Sequence, residues 1–156
     1  MRLAIPAVVA ALGLGLAGQA LAGDISPQAN RELLAANAKK PGVVVLPSGL
    51  QYRVIKSGSG QTPAAGDVVT VVYKGALVDG YVFDRTPPGE TRNLPMGKLI
   101  PGWVEALSLM KEGDEWELVV PSGLGYGTVR AGNGAIPPNQ NLVFDLQLIA
   151  VIPARP

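Results

Sequence analysis

Leu142-Val143-Phe144-Asp145-Leu146-Gln147-Leu148-Ile149, close to the end of the chain, sets Leu142, Phe144, Leu146 and Leu148 against Asp145 and Gln147. A period of two is the mark of a strand with one covered and one wet face. The same alternation recurs upstream. Trp116, Leu118 and Val120 alternate with Glu115 and Glu117, and Leu50, Tyr52 and Val54 with Gln51 and Arg53. Residues 68–78 form a long β-branched run. Asp79-Gly80 then reads as a tight hairpin, and Tyr81-Val82-Phe83 begins the return strand. Strands of this kind joined by hairpins predict an antiparallel sheet covered on one face.

One helix can supply the cover. Pro101-Gly102 starts it, and Trp103, Ala106, Leu107 and Met110 fall at i, i+3, i+4 and i+7, a single apolar stripe. Lys111 in the last turn and Gly113 just past it are expected to end it. One helix against one sheet is an α+β domain. Before the sheet, Ser26-Pro27 pairs an N-cap with a proline at the first helical position. That segment is expected to run through Lys39 and stop near Pro41-Gly42. So short a helix is marginal alone. It is read as a frayed leader or a helix docked on its own domain, in preference to a dimerisation arm.

The 156 residues fit one domain with an appendage. Residues 1–22 read as a secretory signal: Arg2 gives the positive start, residues 3–21 are apolar and rich in small side chains, and Ala20-Leu21-Ala22 is an A-x-A cleavage site. The competing reading, an uncleaved membrane anchor, is disfavoured by the small residues and the cleavage site. Gly23 stands where a lipidated cysteine would have to be. The expected division is therefore a signal over 1–22, a short helical segment over 23–42 and one domain over 43–156. Thirteen basic side chains face 12 acidic ones. That balance gives no case for nucleic acid or for an anionic membrane surface. An exported chain without cysteine relies on packing rather than disulfides.

The chemistry available is narrow. There is no His and no Cys, which argues against zinc sites and against Cys or Ser–His nucleophiles, and no metal or cofactor is called for. Glu112, Asp114, Glu115 and Glu117 form an acidic cluster, but alternation puts Glu115 and Glu117 on one outward strand face, unlike a glycosidase pair. Gly123-Leu124-Gly125-Tyr126-Gly127 lacks the Lys-Ser/Thr of a phosphate loop. What remains is a set of large apolar and aromatic residues on different elements, each flanked by Gly or Pro. Ile100-Pro101-Gly102-Trp103, Tyr126-Gly127 and Ile136-Pro137-Pro138-Asn139 are the clearest. They suit a shallow aromatic pocket rimmed by turns, acting by shape, hydrogen bonding and exclusion of water.

In chain order the motifs are VVYKG (71–75), VFD (82–84), LIPGW (99–103), YG (126–127), IPPN (136–139) and LVFDLQL (142–148). Six strings in this order and spacing resemble the FKBP family of peptidyl-prolyl isomerases. LPSGLQYRVIKSGSG (46–60) is similar to its secreted bacterial branch, which includes the macrophage infectivity potentiator. The resemblance runs from about Pro41 to Ile152. It implies an antiparallel sheet half-wrapped around one short helix, and an enzyme that twists X-Pro bonds in unfolded or partly folded exported proteins. It also implies a periplasmic or secreted location in a Gram-negative bacterium, a monomer or weak dimer, and macrolides as candidate ligands. A non-catalytic peptide-binding module or holdase chaperone on the same fold is the alternative.

The resemblance also assigns roles. Trp103 would be the pocket floor, although on sequence alone it reads as core, as does Phe144. Tyr73, Phe83 and Phe144 would be walls. Leu99, Ile100 and Ile136 would line the rim and contact the peptide. Tyr126 would donate its hydroxyl to a ligand carbonyl. Asp84 would act near the twisting carbonyl, its alternative being a turn cap before Arg85-Thr86-Pro87. Tyr126 and Asp84 are thus the expected catalytic pair. Two departures stand out: Arg92 falls where eukaryotic members carry an aromatic wall residue, and the loop 127–135 is Gly-rich with no aromatic or His tip.

Overall fold

The computed structural model describes residues 23–155. The expected signal over 1–22 lies outside the described residues. Helix α1 (Pro27–Ala38) begins as the sequence predicts: Ser26 Oγ accepts from the Ala29 N–H at 3.1 Å, and Pro27 opens the first turn. Seven strands follow: β1 (Val44–Val45), β2 (Gln51–Lys56), β3 (Val68–Ala76), β4 (Val82–Arg85), β5 (Arg92–Pro95), β6 (Glu115–Val120) and β7 (Leu142–Ile152). Helix α2 (Pro101–Leu107) lies between β5 and β6.

The strands make one antiparallel sheet in the order β1-β2-β6-β7-β3-β4. Strand β7 pairs with β3 over nearly its whole length, from Val68↔Ile152 to Ala76↔Val143. The other edge of β3 is shared. Val68 to Val71 pair with β5, and Lys74 to Ala76 with β4. The long β-branched run is thus the spine of the sheet, bonded on both edges, which is where β-branched side chains pack best. The Asp79-Gly80 hairpin forms as read, with the Gly80 N–H donating to Leu77 O and the Leu77 N–H to Tyr81 O, both at 2.9 Å.

Alternation sorts the faces. Leu142, Phe144, Leu146 and Leu148 of β7, Trp116, Leu118 and Val120 of β6, and Val69, Val71 and Tyr73 of β3 are buried, and Trp103, Ala106 and Leu107 of α2 pack onto them. This is the predicted α+β arrangement of a sheet wrapped around a short helix.

Two readings are corrected. Helix α2 runs only to Leu107, with Ser108 at its C-cap, where the Ser108 hydroxyl donates back to the Val104 carbonyl at 2.6 Å. Met110 still reaches the core, through a turn in which its N–H bonds to Ala106 O and Leu107 O. Lys111 and Gly113 belong to the next turn, closed by the Asp114 N–H on Lys111 O. Strand β2 does not alternate as predicted: Gln51 is buried and Val54 is 45 % exposed. The cause is α1, which packs on the far side of β2, where Gln51 donates to Leu34 O and accepts from Asn37. The acidic cluster is also partly structural. Glu112 accepts from the N–H groups of Gln61 and Val151, and Asp114 from those of Gly58 and Lys111, so both fasten loops.

Gly102 lets α2 approach the sheet, since a Cβ there would lie 2.7 Å from Val120 Cγ1 and 3.3 Å from the Leu124 carbonyl oxygen. Helix propensity alone favours alanine by about 1 kcal/mol. Overpacking costs about 1–3 kcal/mol. Gly102→Ala is therefore expected to lower the urea midpoint, and a raised midpoint would show that the helix is not seated tightly on β6.

Candidate functional site

The aromatic residues singled out by the sequence come together where α2 enters the concave face. Tyr73 reaches the spot from β3 because it lies two residues beyond Val71 on the same strand face. Phe144 arrives from β7 for the same reason. Between them Gly75 leaves a gap: a Cβ on it would lie 2.6 Å from Phe144 Cε1 and 2.7 Å from Phe83 Cζ. The gap lets the Phe83 and Phe144 rings meet edge-on, with centroids 5.8 Å apart at 88°. Trp103, in the first turn of α2, meets Tyr73 at 5.0 Å and 85° and Phe144 at 5.3 Å and 79°. Such edge-to-face contacts hold rings in one geometry as well as burying area.

Together these residues shape a pocket of about 160 Å³. Trp103, Tyr73, Phe83 and Phe144 form its aromatic part, and Leu99 and Ile100 flank it from the entry to α2. Asp84 and Tyr126 add polar groups to the lining. Eight of the nine residues expected at the site thus line one pocket. Ile136 does not. It is buried in the core, and its N–H and carbonyl both bridge to Ala131, closing the loop 131–136. Its backbone is engaged in the loop and its side chain packs against the core cluster.

Leu94 and Lys98 also line the pocket and were not singled out by the sequence reading. A signal was available for Leu94: Arg92 and Leu94, two apart on β5, are both half-buried while Asn93 and Pro95 are exposed.

Arg92, the departure at the expected aromatic wall position, is bonded to two of the pocket residues. Its Nη1 donates to the Tyr73 hydroxyl at 2.6 Å and lies 3.5 Å from Asp84 Oδ2, with Cζ 5.5 Å from the Tyr73 ring centroid. The Tyr73 hydroxyl in turn donates to Asp84 Oδ2 at 2.5 Å. Asp84 therefore holds a tyrosine hydroxyl and a guanidinium at once, which fixes the carboxylate's direction. The Arg92–Asp84 pair is about two-fifths exposed on each side, so its contribution to stability is small and its effect is on orientation. Burial pushes the Tyr73 hydroxyl above its ordinary pKa, and the hydrogen bond to Asp84 adds to the shift. Burial, then the charge of Asp84, does the same to Tyr126. Both hydroxyls therefore stay protonated donors through neutral pH.

A larger groove of about 380 Å³ lies beside the loop that follows β4. Lys74, Arg85, Glu90 and Asp145 are among its walls, and Tyr73 is the one aromatic residue lining it. It has the size of a site without the apolar cup, and the smaller pocket holds the residues with a definite chemical arrangement.

The antiparallel sheet thus closes around a short helix, with an aromatic cup at the helix entry and a tyrosine–carboxylate pair on its wall. The family model described as "FKBP-type peptidyl-prolyl cis-trans isomerase" matches residues 59–149, and that of the "Domain amino terminal to FKBP-type peptidyl-prolyl isomerase" matches 16–54. The chain belongs to the FKBP-type peptidyl-prolyl cis-trans isomerase family. It is 50 % identical over 119 residues to the outer membrane protein MIP of Legionella longbeachae, a match covering 76 % of this chain and 51 % of that protein. It is 48 % identical over 120 residues to the FKBP-type 22 kDa peptidyl-prolyl cis-trans isomerase of Escherichia coli K12, covering 76 % and 58 %. The chain thus spans between half and three-fifths of the length of these curated relatives. Among solved structures, a peptidyl-prolyl cis-trans isomerase from Pseudomonas syringae pathovar tomato superposes with a TM-score of 0.74 at 35 % identity, covering 90 % of this chain and 99 % of that one.

Gly75→Ala is expected to push the Phe83 and Phe144 rings apart and lower stability by about 1–3 kcal/mol. Near-ultraviolet circular dichroism should lose aromatic intensity while the far-ultraviolet signal persists. An unchanged aromatic spectrum would mean that the rings do not depend on that gap.

Proposed function

We propose that this chain catalyses cis/trans isomerisation of X-Pro bonds in unfolded or partly folded exported proteins. The observation that supports it best is the joining of an aromatic cup to a carboxylate already oriented by Tyr73 and Arg92. The barrier to be lowered is the amide's resonance, roughly 18–20 kcal/mol. No bond is cut and no proton need leave carbon. A twisted amide has lost charge separation, so a poorly solvated apolar cup favours it over the planar form. In this reading the proline ring rests against Trp103 between Tyr73, Phe83 and Phe144. Tyr126 donates to a peptide carbonyl, and Asp84 presents a fixed negative charge near the carbonyl that rotates. Leu99 and Ile100 hold the flanking peptide.

Residues 1–22 as a cleaved signal would place the folded chain in the periplasm or outside the cell. In support, one relative carries the words outer membrane protein in its name. Among the described residues no helix is long and apolar enough to cross a membrane.

The test is a protease-free assay that follows cis and trans populations of an X-Pro peptide by exchange NMR. Catalysed exchange at substoichiometric protein is expected. Binding without any acceleration would replace the isomerase reading with a holdase or peptide-binding module. Asp84→Ala is expected to lower kcat/KM by about tenfold or more with the fold intact, as loss of a preorganised charge does. A wild-type rate would return Asp84 to the role of turn cap. Between about pH 6 and 8 the rate should be flat, because the chain has no His and both pocket tyrosines titrate above their ordinary value. A tenfold change centred in that range, with the protein folded, would require an ionising group in the mechanism.

A further inference from the structure

Helix α1 is not fastened by its leucines. Its two buried residues are Asn30 and Asn37, seven apart and therefore on one face. Leu33 and Leu34 between them are only half-buried. The helix is pinned at two polar points. At one, Asn37 Nδ2 donates to Gln51 Oε1 at 2.8 Å on β2, away from the pocket lining. At the other, Asn30 Nδ2 donates to Gln140 Oε1 at 3.1 Å and to the Ile25 and Ser26 carbonyls, Asn30 Oδ1 accepts from the Asn141 N–H at 2.8 Å, and Asn30 O accepts from Asn141 Nδ2 at 3.0 Å.

The second anchor continues into the site. Asn141 Oδ1 accepts from the Ser122 N–H at 3.0 Å. The Ser122 carbonyl then accepts from Gly125 at 3.0 Å and from Gly127 at 2.9 Å, closing the turn that carries Tyr126. A second strand of the same tie runs from the Asn139 N–H to the Gly127 carbonyl at 2.8 Å. A buried amide with its donors and acceptors all engaged tolerates one geometry.

We propose that Asn30 and Asn141 are positioning residues for Tyr126, tying helix α1 to the turn that presents the Tyr126 hydroxyl to the pocket. The inference rests on the reading of Tyr126 as the donor to the bound peptide. It makes the N-terminal helix part of the site's geometry rather than a leader lying on the domain. Truncating Asn30 leaves the Asn141 N–H without its buried acceptor, and the node that holds Ser122 loosens.

Asn37 is the internal control: the same residue type on the same helix, fastened to a different element. Asn30→Ala and Asn37→Ala are both expected to lower Tm. Only Asn30→Ala should speed amide hydrogen exchange at Ser122 and Gly127, by about fivefold or more, as the loss of one buried hydrogen bond does. It should lower kcat/KM for an X-Pro peptide by a comparable factor, and should have little further effect in a Tyr126→Phe background. Asn30→Asp, which retains the acceptor for Asn141, should recover part of the protection, and it carries the test if Asn30→Ala does not fold. Unchanged exchange at Ser122 and Gly127, or an equal change in Asn37→Ala, overturns the proposal. A wild-type protein that does not accelerate X-Pro exchange would instead refute the isomerase reading, while the exchange rates still decide whether α1 holds the turn.

Discussion

Trp103 is wedged edge-on between Tyr73 and Phe144, at the start of helix α2. That contact belongs to the core and to the pocket together. It needs Gly102 beside it, so that the helix can lie against Val120, and Gly75 across from it, so that Phe144 can turn its edge to Phe83. The indole Nε1–H is buried without a hydrogen-bond partner among the described residues. Leaving such a donor unpaired costs about 1–3 kcal/mol.

Much of this was legible in the sequence because one period governs it. The alternation in 142–149 fixes which side chains of β7 face inward. Once that face is known, Phe144 must share it with Leu142 and Leu146. Tyr73 follows from Val69 and Val71 in the same way. The nine site residues came from motif order, and eight meet at one pocket because strand faces and the helix entry converge there. Ile136 is the exception. Proline-flanked loop residues have no period to follow, and nothing local shows that its backbone is consumed by Ala131.

The misread parts share a different cause. Gln51, which the alternation assigned to solvent, turns inward, as do Asn30 and Asn37, on which the hydrophobic pattern is silent. Asn37 and Gln51 meet each other across 14 positions, and the partners of Asn30 lie 110 and 111 positions away, so the pairs that bury them join separate elements. Arg92 was visible as a departure from the resemblance, yet its grip on Tyr73 and Asp84 depends on β5 lying along the same edge of β3 as β4.

In the proposed isomerase a proline ring packs on Trp103, in a cup that acts by shape and desolvation. The chain has two tryptophans, and Trp116 stacks on Tyr52 at 4.1 Å, outside the pocket lining. Titrating the nitrogen-15-labelled protein with an X-Pro peptide and with its X-Ala counterpart, while following both indole N–H resonances, tests the claim directly. The account predicts a saturable shift of the Trp103 signal with the proline peptide, a much weaker one with the alanine peptide, and a stationary Trp116. A Trp103 resonance that does not move at saturating peptide, or one that moves equally with both peptides, would contradict it.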